Sequence, residues 1–185
     1  MGLHELTKPG LLLVLNNEPY RVVFSQHART AQRRAFVRTK LKNLITGQTV
    51  EKTFNASDKV EEANVDKVRA NFLYAEKDQV LFMNNKTYEQ ISFRKDSLFG
   101  QDKFLKEGGE VNVLIFKNNP ISIELPNKVD LLVVEAPPSV KGNSATSPTK
   151  TAILETGGSI TVPIFIKEGD VIRINTETGE YVERA

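Results

Sequence analysis

Arg29, Arg33 and Arg34 stand inside the stretch Ser25–Ala35, which reads Ser-Gln-His-Ala-Arg-Thr-Ala-Gln-Arg-Arg-Ala and contains no acidic residue. Arg38, Lys40 and Lys42 follow at every second position, and Arg21 precedes them. Cationic side chains grouped in this way bind anionic oxygens: a guanidinium matches a phosphate with paired N–H donors, and an ammonium acts as a point charge. Charged residues are the default for any exposed hairpin, and exposed ion pairs add little to stability. That default does not account for a run of cations with no acid among them, so the expected ligand is RNA or another phosphate polymer.

Other chemistry has little to stand on. The chain has two histidines, His4 and His27, and no cysteine. HExxH, GxSxG, Walker and GxGxxG patterns are absent. His27 is expected to pack or hydrogen-bond within the tip rather than catalyse. Glu61-Glu62, Glu107 and Glu110 fit solvated edge positions better than an acid–base pair. The expectation is a protein that is not an enzyme, with no catalytic residues, no cofactor and no metal site.

The elements that must hold these cations are strands. Tyr20–Phe24 precedes the basic stretch and Ala35–Lys42 follows it. Strand side chains alternate, so Ala35, Val37, Thr39 and Leu41 fall on one face and Phe36, Arg38, Lys40 and Lys42 on the other. Ser25–Ala35 is then the tip of a hairpin whose charge continues down one strand face. Leu11–Leu15 and Tyr20–Phe24 flank Asn16-Asn17-Glu18-Pro19, a connection rich in residues that accept turn conformations. Thr46-Gly47-Gln48 turns the chain into Thr49–Phe54, completing a first module that ends near Ser57–Glu61.

A second module starts near Val65 and runs through Asn71–Ala75, Gln79–Met83 and Thr87–Phe93. Arg94–Glu110 carries Leu98, Phe99, Phe104 and Leu105 at nearly helical spacing and predicts a short helix with loops. Val111–Phe116 and Ile121–Leu125 then form a hairpin. A third module contains Val129–Glu135, Thr151–Leu154, Ser159–Phe165, Val171–Asn175 and Glu180–Glu183, with an exposed polar loop at Lys141–Lys150. Many short strands separated by turns indicate an all-β chain of small barrels.

Composition agrees with a folded chain: of 185 residues, 39% are hydrophobic and 26% charged. The apolar run Leu11–Leu15 is far short of the ~20 residues needed to span a bilayer. The N-terminal residues have neither a secretory core nor a myristoylation pattern, so a cytoplasmic protein with no membrane partner is expected. Residues 1–60 hold ten Lys and Arg against four acids, an excess of +6 that leaves −4 for the remainder of a +2 chain. The basic end of the molecule is the footprint expected of a nucleic-acid binder.

Several runs together resemble a known family. Ala35-Phe36-Val37-Arg38-Thr39-Lys40-Leu41-Lys42-Asn43-Leu44-Ile45-Thr46-Gly47 with Val50–Phe54, then Phe82-Met83-Asn84-Asn85-Lys86-Thr87-Tyr88-Glu89-Gln90, are similar to bacterial translation elongation factor P. So are Lys150, Ala152, Leu154, Thr156, Gly157, Val162-Pro163, Phe165, Gly169, Asn175-Thr176, Gly179, Tyr181 and Arg184. The resemblance covers the whole chain in order. It implies an N-terminal KOW/SH3-like barrel (1–62) followed by two OB-fold domains (63–127 and 128–185) in an elongated, tRNA-like shape. It also implies a monomer that binds the ribosome between the P and E sites, against rRNA and the P-site peptidyl-tRNA, and that relieves stalling at consecutive prolines.

Two places depart from the family pattern. Family members carry a Lys-Pro-Gly-Lys-Gly-like tip, or a related one with arginine, whose apical residue is enzymatically extended. Alignment on the flanking residues puts Gln32 at the modified position, and an amide nitrogen is too poor a nucleophile for such chemistry. Thr30-Ala31 also replaces Pro-Gly, which changes the stiffness of the turn. Arg29, Arg33 and Arg34 are left to supply the tip's charge, and Arg33 or Arg34 could alternatively be the modified residue. The resemblance further implies a codon-side loop at Gly142, Asn143, Ser144, Ala145 and Thr146, reaching mRNA at the E site. Gly142 and Ala145 match the family there, while Asn143 and Thr146 do not. These departures keep a second reading open: an RNA-binding or interaction paralogue of that family that does not stimulate peptidyl transfer.

Overall fold

Alternating apolar and polar residues, interrupted by Asn, Gly and Asp, allow almost nothing but short antiparallel strands, and the computed structural model consists of them. It describes residues 8–28, 36–137 and 149–185. The first sheet contains β1 (Leu12–Leu15), β2 (Glu18–Ala28), β3 (Phe36–Asn43), β4 (Thr49–Asn55) and β5 (Glu61–Glu62), in the order β4-β3-β2-β1-β5. Its core is Leu13, Tyr20, Val22, Val37, Leu41, Phe54 and Val60.

The middle sheet contains β6 (Val65–Glu76), β7 (Gln79–Asn84), β8 (Gln90–Arg94), β9 (Glu110–Phe116) and β10 (Asn119–Glu124), in the order β10-β9-β6-β7-β8. Phe82 is fully buried, with the rings of Phe72 and Phe93 each 5.8 Å away, one tilted and one edge-on. Such offset ring pairs add attraction beyond the area they bury. The third sheet contains β11 (Lys128–Glu135), β12 (Thr149–Leu154), β13 (Ser159–Pro163), β14 (Val171–Asn175) and β15 (Glu180–Arg184), in the order β13-β12-β11-β14-β15. Its core is aliphatic: Leu131, Val133, Leu154, Ile160, Val162, Ile166, Ile172 and Ile174. Contacts divide the chain into two units, Met1–Val68 with Val113–Ile123 and Arg69–Asn112 with Glu124–Ala185.

The turns follow from residue type. Asn16 and Asn17 have φ of 51° and 69°, the left-handed pair that a two-residue hairpin needs, and Lys117 and Asn118 do the same between β9 and β10. A five-residue turn opened by asparagine recurs once per sheet. Asn43 Oδ1 accepts from the N–H groups of Ile45 and Thr46 at 2.8 and 3.0 Å. Asn84 Oδ1 does so from Lys86 and Thr87 at 2.8 and 3.2 Å, and Asn175 Oδ1 from Glu177 and Thr178 at 2.9 and 3.1 Å. The short amide side chain replaces backbone acceptors that the turn cannot supply.

The helix expected within Arg94–Glu110 does not form. Two single 3-10 turns, Lys95–Leu98 and Gln101–Phe104, occupy the segment. Phe99 and Gly100 between them are both left-handed, at φ 51° and 81°, which no right-handed helix accommodates. The apolar residues are divided accordingly: Leu98 and Leu105 are buried, Phe99 is exposed, and Phe104 packs against the core of the third sheet. Thr156 donates its hydroxyl to the carbonyl of Lys103, and Lys106 Nζ lies 3.0 Å from Glu155 Oε1. These contacts fasten the 3-10 segment to the third sheet.

Candidate nucleic-acid interface

The faces of β3 are as alternation requires. Val37, Thr39, Leu41 and Asn43 are buried, Arg38 and Lys40 are exposed, and Phe36 and Lys42 are half-buried. Two inward polar residues are satisfied: Thr39 donates to the Lys52 carbonyl at 2.9 Å, and Asn43 Nδ2 donates to Glu18 at 2.6 Å. The outward residues are therefore held by a strand whose opposite side is anchored in core.

Three cross-strand rows build the outer face. Arg21, Lys42 and Thr49 form one, Phe24, Lys40 and Glu51 the next, and Gln26, Arg38 and Thr53 the third. The Arg38 guanidinium lies 5.8 Å from the centre of the Phe36 ring, a cation–π distance. Lys40 Nζ lies 3.3 Å from Glu51 Oε1. The basic stretch has no acid of its own, yet the face is not free of acid, because the neighbouring strand contributes one. With side chains 51% and 76% exposed, that pair is well hydrated and weak.

Phe24 is the residue that sequence reasoning missed. The pairing of β2 with β3 shifts between Val22 and Phe24, so Val23 is an extra, bulged residue. Uninterrupted alternation would carry Phe24 inward with Tyr20 and Val22. The bulge changes the phase and leaves the ring 52% exposed, directly across from Lys40. The sequence signal for it is faint, since Val22-Val23-Phe24 can be read in either phase.

His27 is exposed near the end of β2, opposite Val37 in register. Arg29, Gln32, Arg33 and Arg34 lie outside the described residues, as do Gly142, Asn143, Ser144, Ala145 and Thr146. Among the described residues no three or more His, Asp or Glu side chains converge as a metal site, and no helix is long and apolar enough to cross a membrane.

The described site is thus a basic sheet face interleaved with aromatic rings, on the first of three successive all-β sheets. Three family models match in the same order: the elongation factor P KOW-like domain over residues 6–60, its OB domain over 65–123 and its C-terminal domain over 129–184. The chain belongs to the elongation factor P family. Elongation factor P of Moorella thermoacetica is 47% identical over 178 residues, covering 96% of both chains. That of Acetivibrio thermocellus is 46% identical, again over 96% of both, and that of Aquifex aeolicus is 47% identical over 90% of this chain and 87% of its own. The solved structure of eukaryotic translation initiation factor 5A from Methanococcus jannaschii covers 68% of this chain and 93% of its own, with a TM-score of 0.51 at 21% identity. That likeness concerns the fold. Membership of the elongation factor P family makes the chain a translation elongation factor, in a family of translation factors rather than enzymes.

Proposed function

We propose that this elongation factor P family member binds the ribosome between the P and E sites and promotes peptide-bond formation at consecutive prolines by positioning the P-site tRNA. In this reading residues 1–62, 63–127 and 128–185 are its three domains, and the protein acts as a cytoplasmic monomer. It makes and breaks no bond. Restricting the reactive end of a bound tRNA to productive geometry removes an entropic part of the barrier, and the ribosome performs the chemistry. Arg29, Arg33 and Arg34 supply the charge of the tip, Gln32 stays unmodified at its apex, and Arg38, Lys40 and Lys42 continue the phosphate contacts along β3. Gly142, Asn143, Ser144, Ala145 and Thr146 face the mRNA at the E site.

The observation that carries this reading is the match of all three family domains in order along a chain whose first sheet has an outward basic row. The test is co-sedimentation with ribosomes across a salt series, paired with synthesis from a polyproline message. Expected are binding that weakens as salt rises, through counterion release, and faster polyproline synthesis. The absence of both binding and acceleration would overturn the reading. Gln32 favours one alternative, an RNA-binding paralogue without the peptidyl-transferase role. It predicts ribosome or RNA binding with no change in polyproline synthesis.

A further inference from the structure

We propose that the outer face of β2, β3 and β4 is a stacking site for a single unpaired RNA nucleotide, with Phe24 as the platform for its base and Arg38 and Lys40 as the contacts to its phosphates. The inference rests on the reading above only in taking RNA as the partner.

The fold goes out of its way to expose this ring. Val22 and Leu41, beside it in the same two strands, are wholly buried, and regular pairing would bury Phe24 with them. A one-residue bulge instead turns a large apolar ring to solvent. A second bulge provides a control within the same chain. The pairing of β6 with β7 shifts between Phe72 and Tyr74, and Tyr74 is likewise exposed, at 45%. Its cross-strand partner is Leu81, whereas that of Phe24 is Lys40. Both of these shifts leave an aromatic ring outside; of the two, it is Phe24 whose ring faces a cation.

The surroundings suit a nucleotide. Phe24, Gln26, Arg38, Lys40, Glu51 and Thr53 border a groove of about 450 Å³, within the roughly 300–1,000 Å³ typical of small-ligand clefts. Every base has a π-face, so a flat ring binds bases without regard to sequence. Gln26 brings both donor and acceptor atoms for a base edge. The contact of Arg38 with the Phe36 ring holds the guanidinium against the sheet, and the exposed Lys40–Glu51 pair gives up little when the ammonium turns to a phosphate. In a duplex the bases are stacked on one another and beyond the reach of a surface ring, so the ligand is an unpaired nucleotide.

The full-length protein is tested against two fluorescein-labelled RNA hairpins that differ only in a short single-stranded 3′ tail, with thermal melts verifying that each variant is folded. Phe24→Ala should weaken binding to the tailed hairpin by about tenfold, the loss of one stacked base, with the salt slope and the affinity for the blunt hairpin unchanged. Phe24→Trp should bind as wild type. Lys40→Gln should lower the salt slope by about 0.7, one single-strand phosphate. The proposal is overturned if Phe24→Ala has no effect, if it affects both hairpins equally, if wild type does not prefer the tailed hairpin, or if an oligoglutamate of equal charge displaces the RNA as well as unlabelled tailed hairpin does. The two readings fail separately: absence of a stacking site leaves wild-type stimulation of polyproline synthesis in place, and absence of stimulation leaves the hairpin result standing.

Discussion

Tyr88 holds in the middle sheet the place that Gly179 holds in the third. Each is the fifth residue of its asparagine turn: the Tyr88 N–H donates to the Asn84 carbonyl at 2.9 Å and the Gly179 N–H to the Asn175 carbonyl at 2.8 Å. Both are left-handed, at φ 59° and 72°. Gly47 fills the position in the first sheet, at φ 68°. Tyr88 alone bears a side chain there, and at 75% exposed its ring gains little packing to offset the strain.

Exchanging the residue types at these two sites should shift stability in opposite directions. A left-handed non-glycine residue costs about 1–2 kcal/mol, partly offset by its smaller loss of chain entropy on folding. Tyr88→Gly should therefore gain about 0.5–1 kcal/mol, and Gly179→Ala should lose about 1 kcal/mol. Urea titrations of both variants provide the comparison.

Lys40 and Leu41 are neighbours with separable roles. Leu41 is wholly buried, so Leu41→Ala should cost about 2–5 kcal/mol. Lys40 is exposed and its ion pair with Glu51 is hydrated; Lys40→Ala should stay within about 0.5 kcal/mol of wild type while flattening the salt dependence of RNA binding. Denaturation and binding measured on the same two proteins separate the effects.

Gly158 lets the third sheet approach the 3-10 segment. A methyl group there would lie 2.9 Å from Lys103 Cβ and 3.0 Å from its carbonyl oxygen, and the backbone cannot swing aside. Gly158→Ala should cost about 1–3 kcal/mol, measured by the urea midpoint.

Glu155 links the same segment to β11. Its Oε1 accepts from the Leu132 N–H and from Lys106 Nζ, each at 3.0 Å. The backbone hydrogen bond, followed by the lysine, holds the carboxyl below the ordinary glutamate value of 4.5, against the opposing effect of burial. Because the folded value is the lower one, the unfolded chain binds more protons in this range. The stabilisation is present above 4.5 and is lost as pH falls through the folded value. Midpoints measured on acidification should fall more steeply for wild type than for Glu155→Gln.

The strands and turns were legible because period-two alternation and the left-handed tolerance of Asn and Gly are local properties. The faces of β3 and the Asn16-Asn17 hairpin follow from them directly. What lay hidden depends on partners distant in sequence. Val23, Leu73, Val134 and Val182 are bulged residues that only the pairing register identifies, and the exposure of Phe24 came with the first of them. Glu51 reaches the basic face from β4, beyond any window around Arg38. Phe99 sits at helical spacing from its apolar neighbours, yet its left-handed backbone and that of Gly100 break the segment into two turns. The tip arginines and the Gly142–Thr146 loop remain sequence-based assignments outside the described residues.

If Arg29, Arg33 and Arg34 promote peptide-bond formation at consecutive prolines, replacing all three should abolish the effect. The most direct measurement is the rate of peptide-bond formation on a polyproline message with no factor, with the wild-type protein, and with the Arg29→Ala, Arg33→Ala, Arg34→Ala triple variant. The expected outcome is acceleration by the wild type and its loss in the folded variant. Equal rates with and without the wild type, or full acceleration by the variant, would contradict it.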